Sequence, residues 1–212
     1  MSTGQPEPAF VLVASPFTGP FAWSMVASEL RRRGRRVAVH GVDPHVDSNV
    51  VLVAHSGGGP HLPALAGQAD PVVGMVFVDA LLPHPGRSWA QTVPEPFVTK
   101  LRAEAVDGKL PPWPQWWGES GMRTLIADPA LRGEFVRSCP SVPVAVIDEV
   151  MADVAEPAGV YVQLSDAYTP ETTAARTRGW PVMIVDADHL ALLTDPTVVA
   201  DAVERAAELL TD

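Results

Sequence analysis

The amino-acid sequence predicts an α/β protein with a mostly parallel central sheet flanked by helices. Of its 212 residues, 47% are hydrophobic and 19% are charged, which is typical of a globular domain with a sizeable core. Short apolar runs alternate along the chain with stretches of helical periodicity. Several of these runs are apolar throughout, as expected for strands of a parallel sheet that is covered on both faces.

The N-terminal part of the chain alternates predicted strands and helices. Strands are predicted at residues 10–14, 37–39, 50–54 and 72–78. One helix is predicted at 22–33, where Gly34 ends the helical periodicity, and a second helix ends near Ala69. Parallel strands joined through helices form right-handed crossovers, so these strands are expected to lie in one sheet.

Residues 83–141 differ in composition from the sequence on either side. Prolines interrupt short helical pieces there, and the stretch is rich in tryptophan. We interpret it as a small Trp/Pro-rich lid inserted into a core formed by residues 1–82 and 142–212. The alternation then resumes, with strands predicted at 144–147, 160–164 and 182–185 and helices at 171–178 and 196–210.

Charge and composition argue against several classes of function. A formal net charge of −10 disfavours nucleic-acid binding, and no apolar run approaches the roughly 20 residues of a membrane span. Cys139 is the only cysteine and the polar start of the chain lacks a leader pattern, so we expect a cytoplasmic location. The glycines after residue 56 match a dinucleotide fingerprint only weakly, and no P-loop lysine or metal-ligand spacing is present. We therefore expect no cofactor and no metal.

The most informative segment is 50–59, where an apolar strand leads into a serine followed by three glycines. The positions two before and two after Ser56 are the small residues Ala54 and Gly58, as a strained strand-to-helix turn requires. Such a turn presents the Ser56 hydroxyl as a nucleophile, and the amide of Gly57 begins the next helix, where an oxyanion is favoured. Serine is also a common helix N-cap, but the triple glycine favours the nucleophile.

A serine nucleophile needs a base and an acid to orient that base. His189 follows the predicted strand 182–185 and precedes the last helix, so its ring is expected at the C-terminal edge of the sheet. Asp166, directly after the strand 160–164, is the preferred acid. The chain order of serine, acid and histidine is the one found after a nucleophile elbow. The alternatives are a structural role for His189 and a turn role for Asp166.

Three segments together resemble the α/β-hydrolase superfamily, in particular its small-lid esterase and hydroxynitrile-lyase-like branch. They are the first strand and loop at Val11-Leu12-Val13-Ala14-Ser15-Pro16-Phe17, the elbow at Ala54-His55-Ser56-Gly57-Gly58, and the histidine loop at Asp188-His189-Leu190. The resemblance covers most of the chain. It implies the α/β-hydrolase fold and a triad of serine, histidine and acid.

The first loop departs from the pattern of this superfamily. The family's His-Gly corresponds to Ala14-Ser15, and the next position, which usually donates the second oxyanion N–H, is Pro16. Proline has no N–H. We therefore expect the amide of Phe17 or the hydroxyl of Ser15 to replace this donor.

The acid is the second departure. Asp166 lies about one position earlier than the family's acid. Glu149 and Asp79, each just after a predicted strand, are therefore rival acids, with Glu149 the first alternative.

These residues predict a serine-dependent hydrolase that cleaves an ester, thioester or lactone through an acyl-enzyme on Ser56. Pro16 favours the first alternative, a non-hydrolytic elimination, cyclisation or lyase step of secondary metabolism in which Ser56 and His189 act as the base. The second alternative is a non-catalytic ligand-binding protein of the same fold.

The predicted substrate is a small, mainly apolar molecule. Aromatic residues near the elbow and in the lid would line its pocket, and packing between lid and core is the competing interpretation. The candidate pocket residues are Phe17, Trp113, Trp116 and Trp117.

Overall fold

A six-stranded sheet, parallel throughout, forms the centre of the computed structural model. The structure describes residues 7–41, 43, 45, 48–154 and 158–211. The strands are β1 (Ala9–Val13), β2 (Val37–Val39), β3 (Val50–Ser56), β4 (Val72–Ala80), β5 (Gly159–Gln163) and β6 (Val182–Ile184), in the spatial order β2-β1-β3-β4-β5-β6. The predicted fold class is confirmed, and β3 is buried along its whole length, as its uninterrupted apolar sequence requires.

Helices cover both faces of this sheet. The helices of the described residues are α1 (Ser24–Arg32), α2 (Leu62–Ala66), α3 (Glu95–Ala103), α4 (Trp113–Leu125), α5 (Pro129–Ser138), α6 (Thr169–Thr177), α7 (Ala191–Thr194) and α8 (Pro196–Glu208). Of these, α3, α4 and α5 pack in a cluster of their own rather than on the sheet. On one face, Leu30 of α1 and Val203 of α8 belong to a buried cluster with the strand residues Phe10 and Val76. On the other face, Leu62 of α2 and Ala175 of α6 belong to a second cluster with Phe77 and Tyr161.

The predicted strand at 144–147 is wrong. Val144–Asp148 is a 3-10 helix, entered from Pro143, and its first amide donates to the carbonyl of Gly108 outside the sheet. Strand β5 pairs directly with β4, with Gly159 beside Met75, so no edge is free between them for another strand. The apolar pattern of 144–147 instead buries Ile147 under the helical insertion.

The helical insertion comprises α3, α4 and α5, all within the predicted lid 83–141. These helices enclose a third apolar cluster that includes Trp113, Trp116 and Phe135. Phe17 from the first loop and Leu190 from the last loop are buried in the same cluster. The insertion is therefore packed onto the loops that carry the candidate site. The boundaries at 83 and 141 stay a prediction.

Four arginines in α1 and the turn after it, Arg31, Arg32, Arg33 and Arg35, are paired with carboxylates. Arg33 forms ion pairs with Glu29, Asp201 and Glu204, which joins α1 to α8.

Among the described residues, no helix has the length and apolar character needed to cross a bilayer. Residues 1–6, which belong to the chain start used in predicting a cytoplasmic location, lie outside the described residues.

Candidate active site

Ser56 lies at the sharp turn that the sequence predicts. It is the last residue of β3, has a φ of 55°, and is 6% exposed. The turn is closed by the Gly58 N–H, which donates to the His55 carbonyl at 2.9 Å. A Cβ atom on Gly58 would lie 2.7 Å from the Val13 carbonyl oxygen, so the elbow can approach β1 this closely only without a side chain there.

His189 is oriented by Asp79. The Nδ1–H of His189 donates to Asp79 Oδ2 at 2.8 Å, because a carboxylate oxygen can only accept. Asp79 lies near the end of β4, and β4 pairs with β3, so this carboxylate lies at the same edge of the sheet as Ser56. The arrangement leaves Nε2 of His189 as the acceptor for a proton.

Asp79 is fully buried and its side chain accepts several hydrogen bonds besides that of His189. The amides of Leu164 and Ser165 donate to Oδ1 at 2.9 and 3.0 Å, and the Ser165 hydroxyl donates to Oδ2 at 2.6 Å. Burial alone would raise the pKa of Asp79, but hydrogen bonds from His189 and Ser165 lower it below its usual range. The carboxylate is therefore ionised beside His189.

The structure corrects the preferred acid. Asp166 is exposed at the start of the 3-10 helix Asp166–Tyr168, and Glu149, the first alternative, is also exposed; neither bonds His189 among the described contacts. The loop after β5 contributes the donors from Leu164 and Ser165 instead of the acid. Asp79 had been named only as a further rival.

His55 supports the other side of the histidine loop. Its Nε2–H donates to the His189 carbonyl at 2.9 Å, and the two imidazole centroids are 4.4 Å apart. Burial, with a contribution from His189, lowers the pKa of His55 to about 3. His55 is therefore neutral at physiological pH.

Tyr168, which no motif in the sequence marks, contacts both Ser56 and His189. Its hydroxyl lies 3.3 Å from Ser56 Oγ, and its ring stacks on the imidazole of His189 with centroids 5.0 Å apart and an interplanar angle of 10°. Among the described residues, no hydrogen bond joins Ser56 Oγ directly to His189. Bonds between catalytic groups often form only when substrate is present. No sequence motif marks Tyr168, so only the fold could reveal it.

In the loop after β1, the Phe17 amide is not free to act as the second oxyanion donor. The Phe17 amide, expected to replace the donor missing at Pro16, donates instead to the Ser15 hydroxyl at 3.2 Å. Ser15 is 1% exposed, and a Cβ atom on Gly57 would lie 2.8 Å from its Oγ. The Ser15 hydroxyl therefore lies against the residue that follows Ser56.

A model of the alpha/beta hydrolase family matches residues 3–202, which is nearly the whole chain. The chain belongs to the alpha/beta hydrolase family. No curated protein is similar enough in sequence to count as a match.

Solved structures of other α/β hydrolases share this fold. An extracellular α/β-hydrolase from a Paenibacillus species, described as sharing structural and functional homology with tobacco salicylic acid binding protein 2, is 21% identical, with a TM-score of 0.74 over 94% of this chain and 99% of that chain. Polyneuridine aldehyde esterase is 15% identical, with a TM-score of 0.69 over 94% and 99% of the two chains. The pyrethroid hydrolase PytH is 16% identical, with a TM-score of 0.71 over 98% and 100%.

Aromatic side chains surround Phe17 in this α/β hydrolase. The ring of Phe17 lies 5.1 Å from that of Trp116 and 5.2 Å from that of Trp89. Trp113 is buried with its ring 6.1 Å from His189, whereas Trp117 is 49% exposed on the outer side of the insertion. The structure thus brings three of the predicted pocket residues close to the site, adds Trp89, and leaves Trp117 peripheral.

The free space beside the elbow is small. A cavity of about 20 Å³ is lined by Phe17, Gly57 and Trp89, among others. This volume holds about one water-sized group. Ser56 is itself only 6% exposed, so little free space reaches its hydroxyl.

Two other features of the described residues bear on chemistry. No group of three or more His, Cys, Asp or Glu is arranged to hold a metal ion. Burial raises the pKa of the Cys139 thiol to about 12, so this cysteine is protonated and unreactive.

Proposed function

We propose that this α/β hydrolase is a serine hydrolase that cleaves an ester, thioester or lactone of a small, mainly apolar molecule. The observation that carries the proposal is the 2.8 Å hydrogen bond between His189 and Asp79, next to Ser56 in its strained turn. A nucleophile, a base and a buried acid at one edge of a sheet support acyl transfer.

In this mechanism Ser56 Oγ attacks the substrate carbonyl and His189 Nε2 takes its proton. Asp79 stabilises the imidazolium through the bond to Nδ1. The bond to the leaving group then breaks, and His189 donates the proton to the departing atom. Water, activated by His189, hydrolyses the acyl-enzyme on Ser56 in the second half of the reaction.

The oxyanion is held by the N–H of Gly57 and by the Ser15 hydroxyl. Ser15 is the better second donor because the Phe17 amide already donates to it, which leaves the hydroxyl proton of Ser15 for the substrate. A hydrogen bond accepted from Phe17 also polarises this hydroxyl. The donor lost at Pro16 is thereby replaced by a side chain.

The aromatic surroundings support an apolar substrate. Phe17 and Trp89 line the cavity next to Gly57, and Trp116 packs against the ring of Phe17. Aromatic walls of this kind bind apolar groups through buried surface area rather than through polar contacts.

Pro16 favours one competing reaction, a non-hydrolytic elimination, cyclisation or lyase step in which Ser56 and His189 only move protons. A reaction of this kind requires less oxyanion stabilisation than acyl transfer, and loss of one donor typically slows acyl transfer about 10² to 10³-fold. In this case Ser56 forms no acyl-enzyme.

The test is the intact mass of the protein after exposure to a fluorophosphonate, with turnover of a short-chain p-nitrophenyl ester measured in parallel. We expect one adduct and measurable turnover for the natural protein, and neither for Ser56→Ala. Ser120→Ala, which removes an exposed serine of α4, is the matched control and should keep both. An unmodified natural protein without esterase activity would reject acyl chemistry and favour the competing reaction.

A further inference from the structure

Tyr168 is positioned by the turn that follows β5. Its amide donates to the Ser165 carbonyl at 3.2 Å, within the 3-10 helix Asp166–Tyr168 that leads directly into α6. Ser165 in turn donates from its hydroxyl to Asp79. The loop that orients the acid therefore also determines where the Tyr168 side chain lies.

Two contacts place Tyr168 on the histidine side of Ser56. The hydroxyl is 3.3 Å from Ser56 Oγ and the ring is nearly parallel to the imidazole of His189. In acyl transfer, one imidazole nitrogen takes the proton from the nucleophile and later gives it to the leaving group. Ser56 Oγ and the leaving-group oxygen must therefore both come within reach of His189. Because the Tyr168 ring stacks on His189, both oxygens also come near the Tyr168 hydroxyl.

The chemistry of the two hydroxyl groups determines which of Tyr168 and Ser56 donates the hydrogen bond between them. The Ser56 proton has to point toward His189 for attack, which leaves the Ser56 lone pairs to accept. A phenol is a stronger acid than an aliphatic alcohol and is the better donor. Burial raises the pKa of Tyr168 above its usual value, so its hydroxyl keeps its proton at neutral pH.

We propose that Tyr168 is a further catalytic residue, whose hydroxyl donates a hydrogen bond to Ser56 Oγ in the free enzyme and to the leaving-group oxygen as the acyl-enzyme forms. The bond between Ser56 Oγ and the acyl carbon forms while the bond from that carbon to the leaving oxygen breaks. The proton of Ser56 passes through His189 to the leaving oxygen, and Tyr168 retains its own proton. This inference rests on the proposed serine-hydrolase function.

A hydrogen bond to the leaving oxygen stabilises more charge when the leaving group is a poor one. An alkoxide develops strongly basic charge, whereas p-nitrophenolate disperses its charge over the ring and needs little help. The contribution of Tyr168 should therefore increase with the basicity of the leaving group. A residue that only maintains the structure would affect all leaving groups alike.

The experiment compares Tyr168→Phe with the natural protein on esters of one short-chain acid, with alcohols ranging from p-nitrophenol to an alkyl alcohol. We expect kcat/KM of Tyr168→Phe to fall about 10- to 100-fold for the alkyl ester and less than about 3-fold for the p-nitrophenyl ester. Equal losses across the series, or no loss, would overturn the inference.

The chain provides a matched control, since Tyr161 is its only other tyrosine. The Tyr161 hydroxyl donates to the Ala80 carbonyl at 2.9 Å. Ala80 is the strand partner of Ser56, but among the described residues no hydrogen bond joins Tyr161 to Ser56 Oγ. Tyr161→Phe should change all the esters by the same factor. Tyr168→Leu also removes the aromatic ring that stacks on His189, so it should lose activity on every ester. If Tyr168→Phe does not fold, the same comparison of leaving groups is made with Tyr168→Leu. The loss of activity in Tyr168→Leu must then still be greater for the alkyl ester than for the p-nitrophenyl ester.

Fluorophosphonate labelling of Ser56 separates this inference from the proposed function. If the natural protein is neither labelled nor active on any ester in the series, the serine-hydrolase function fails and this role of Tyr168 fails with it. If the natural protein is labelled and active but the loss in Tyr168→Phe does not depend on the leaving group, only the inference about Tyr168 fails.

Discussion

Ser56 and Asp79, two residues whose side chains carry the proposed chemistry, both have positive φ angles, 55° and 42°. Such a conformation costs a residue other than glycine about 1–2 kcal/mol. The neighbouring backbone holds it in place, since the Leu81 amide donates to the Ser56 carbonyl and the Leu164 amide donates to the Asp79 side chain. The strain turns both side chains toward the edge of the sheet where His189 lies.

His55 makes the stability of the protein depend on pH. Its pKa is about 6.5 in an unfolded chain and about 3 in the folded protein, where burial disfavours the charge. Below pH 6.5 the unfolded state therefore binds a proton that the folded state does not. This part of the stability is fully present above pH 6.5 and is lost as the pH falls toward 3.

We predict that His55→Gln loses less stability than the natural protein between pH 7 and pH 4. The difference in the change of unfolding free energy should be about 2 to 3 kcal/mol, measured by urea denaturation at both pH values. Other acidic groups titrate in both proteins and cancel in this comparison. Equal losses would show that His55 does not hold its neutral form through burial.

Individual residues could be predicted from the sequence where the signal is local. Ser56 was identified from the strand before it and the glycines after it, and His189 from its place after the last strand. The acid could not be assigned, because Asp79 lies 110 residues from His189 and several aspartates follow strands. Only the hydrogen bond from His189 to Asp79 in the folded structure decides among them.

The elbow is also a packing element, in which the turn after β3 approaches the end of β4. The register between these strands shifts after His55, so that Ser56 pairs with Ala80. A Cβ atom on Gly59 would lie 1.9 Å from the Leu81 carbonyl oxygen, which is backbone and cannot rotate away. Gly59 is thus required by the contact between two elements.

We predict that Gly59→Ala lowers the unfolding free energy by about 3 kcal/mol or more, since this overpacking forces the elbow away from β4. Gly67→Ala is the control, because its Cβ would meet the Ala64 carbonyl at an ordinary 3.5 Å. The control should change stability by less than about 0.5 kcal/mol. Urea denaturation measures both; similar midpoints for the two variants would contradict this account of the elbow.

Most strands could be predicted from their apolar runs, and the failure at 144–147 has a structural cause. Four apolar residues are enough for either a short strand or one turn of a buried helix. What decides between them is whether the sheet has a free edge, and β5 already occupies the place beside β4. Such competition for an edge is not visible in a local pattern.

The insertion and the core share one apolar cluster. Phe17 and Leu190, which flank the elbow and the histidine loop, pack with Trp113 and Trp116 of the insertion. These contacts therefore hold the insertion against the loops that carry the site. Composition predicted the insertion, but its contact with Phe17 could not be derived without the fold.

In the proposed function, Ser56, His189 and Asp79 act as a catalytic triad. The most direct test is the rate of fluorophosphonate labelling of Ser56 in Asp79→Asn and Asp166→Asn, followed by intact mass. We expect labelling to slow about 10³- to 10⁴-fold in Asp79→Asn, because loss of the carboxylate leaves His189 in the wrong tautomer. Asp166→Asn, which changes an exposed turn residue, should label at the natural rate. Slow labelling of Asp166→Asn together with normal labelling of Asp79→Asn would show that Asp79 is not the acid of the triad.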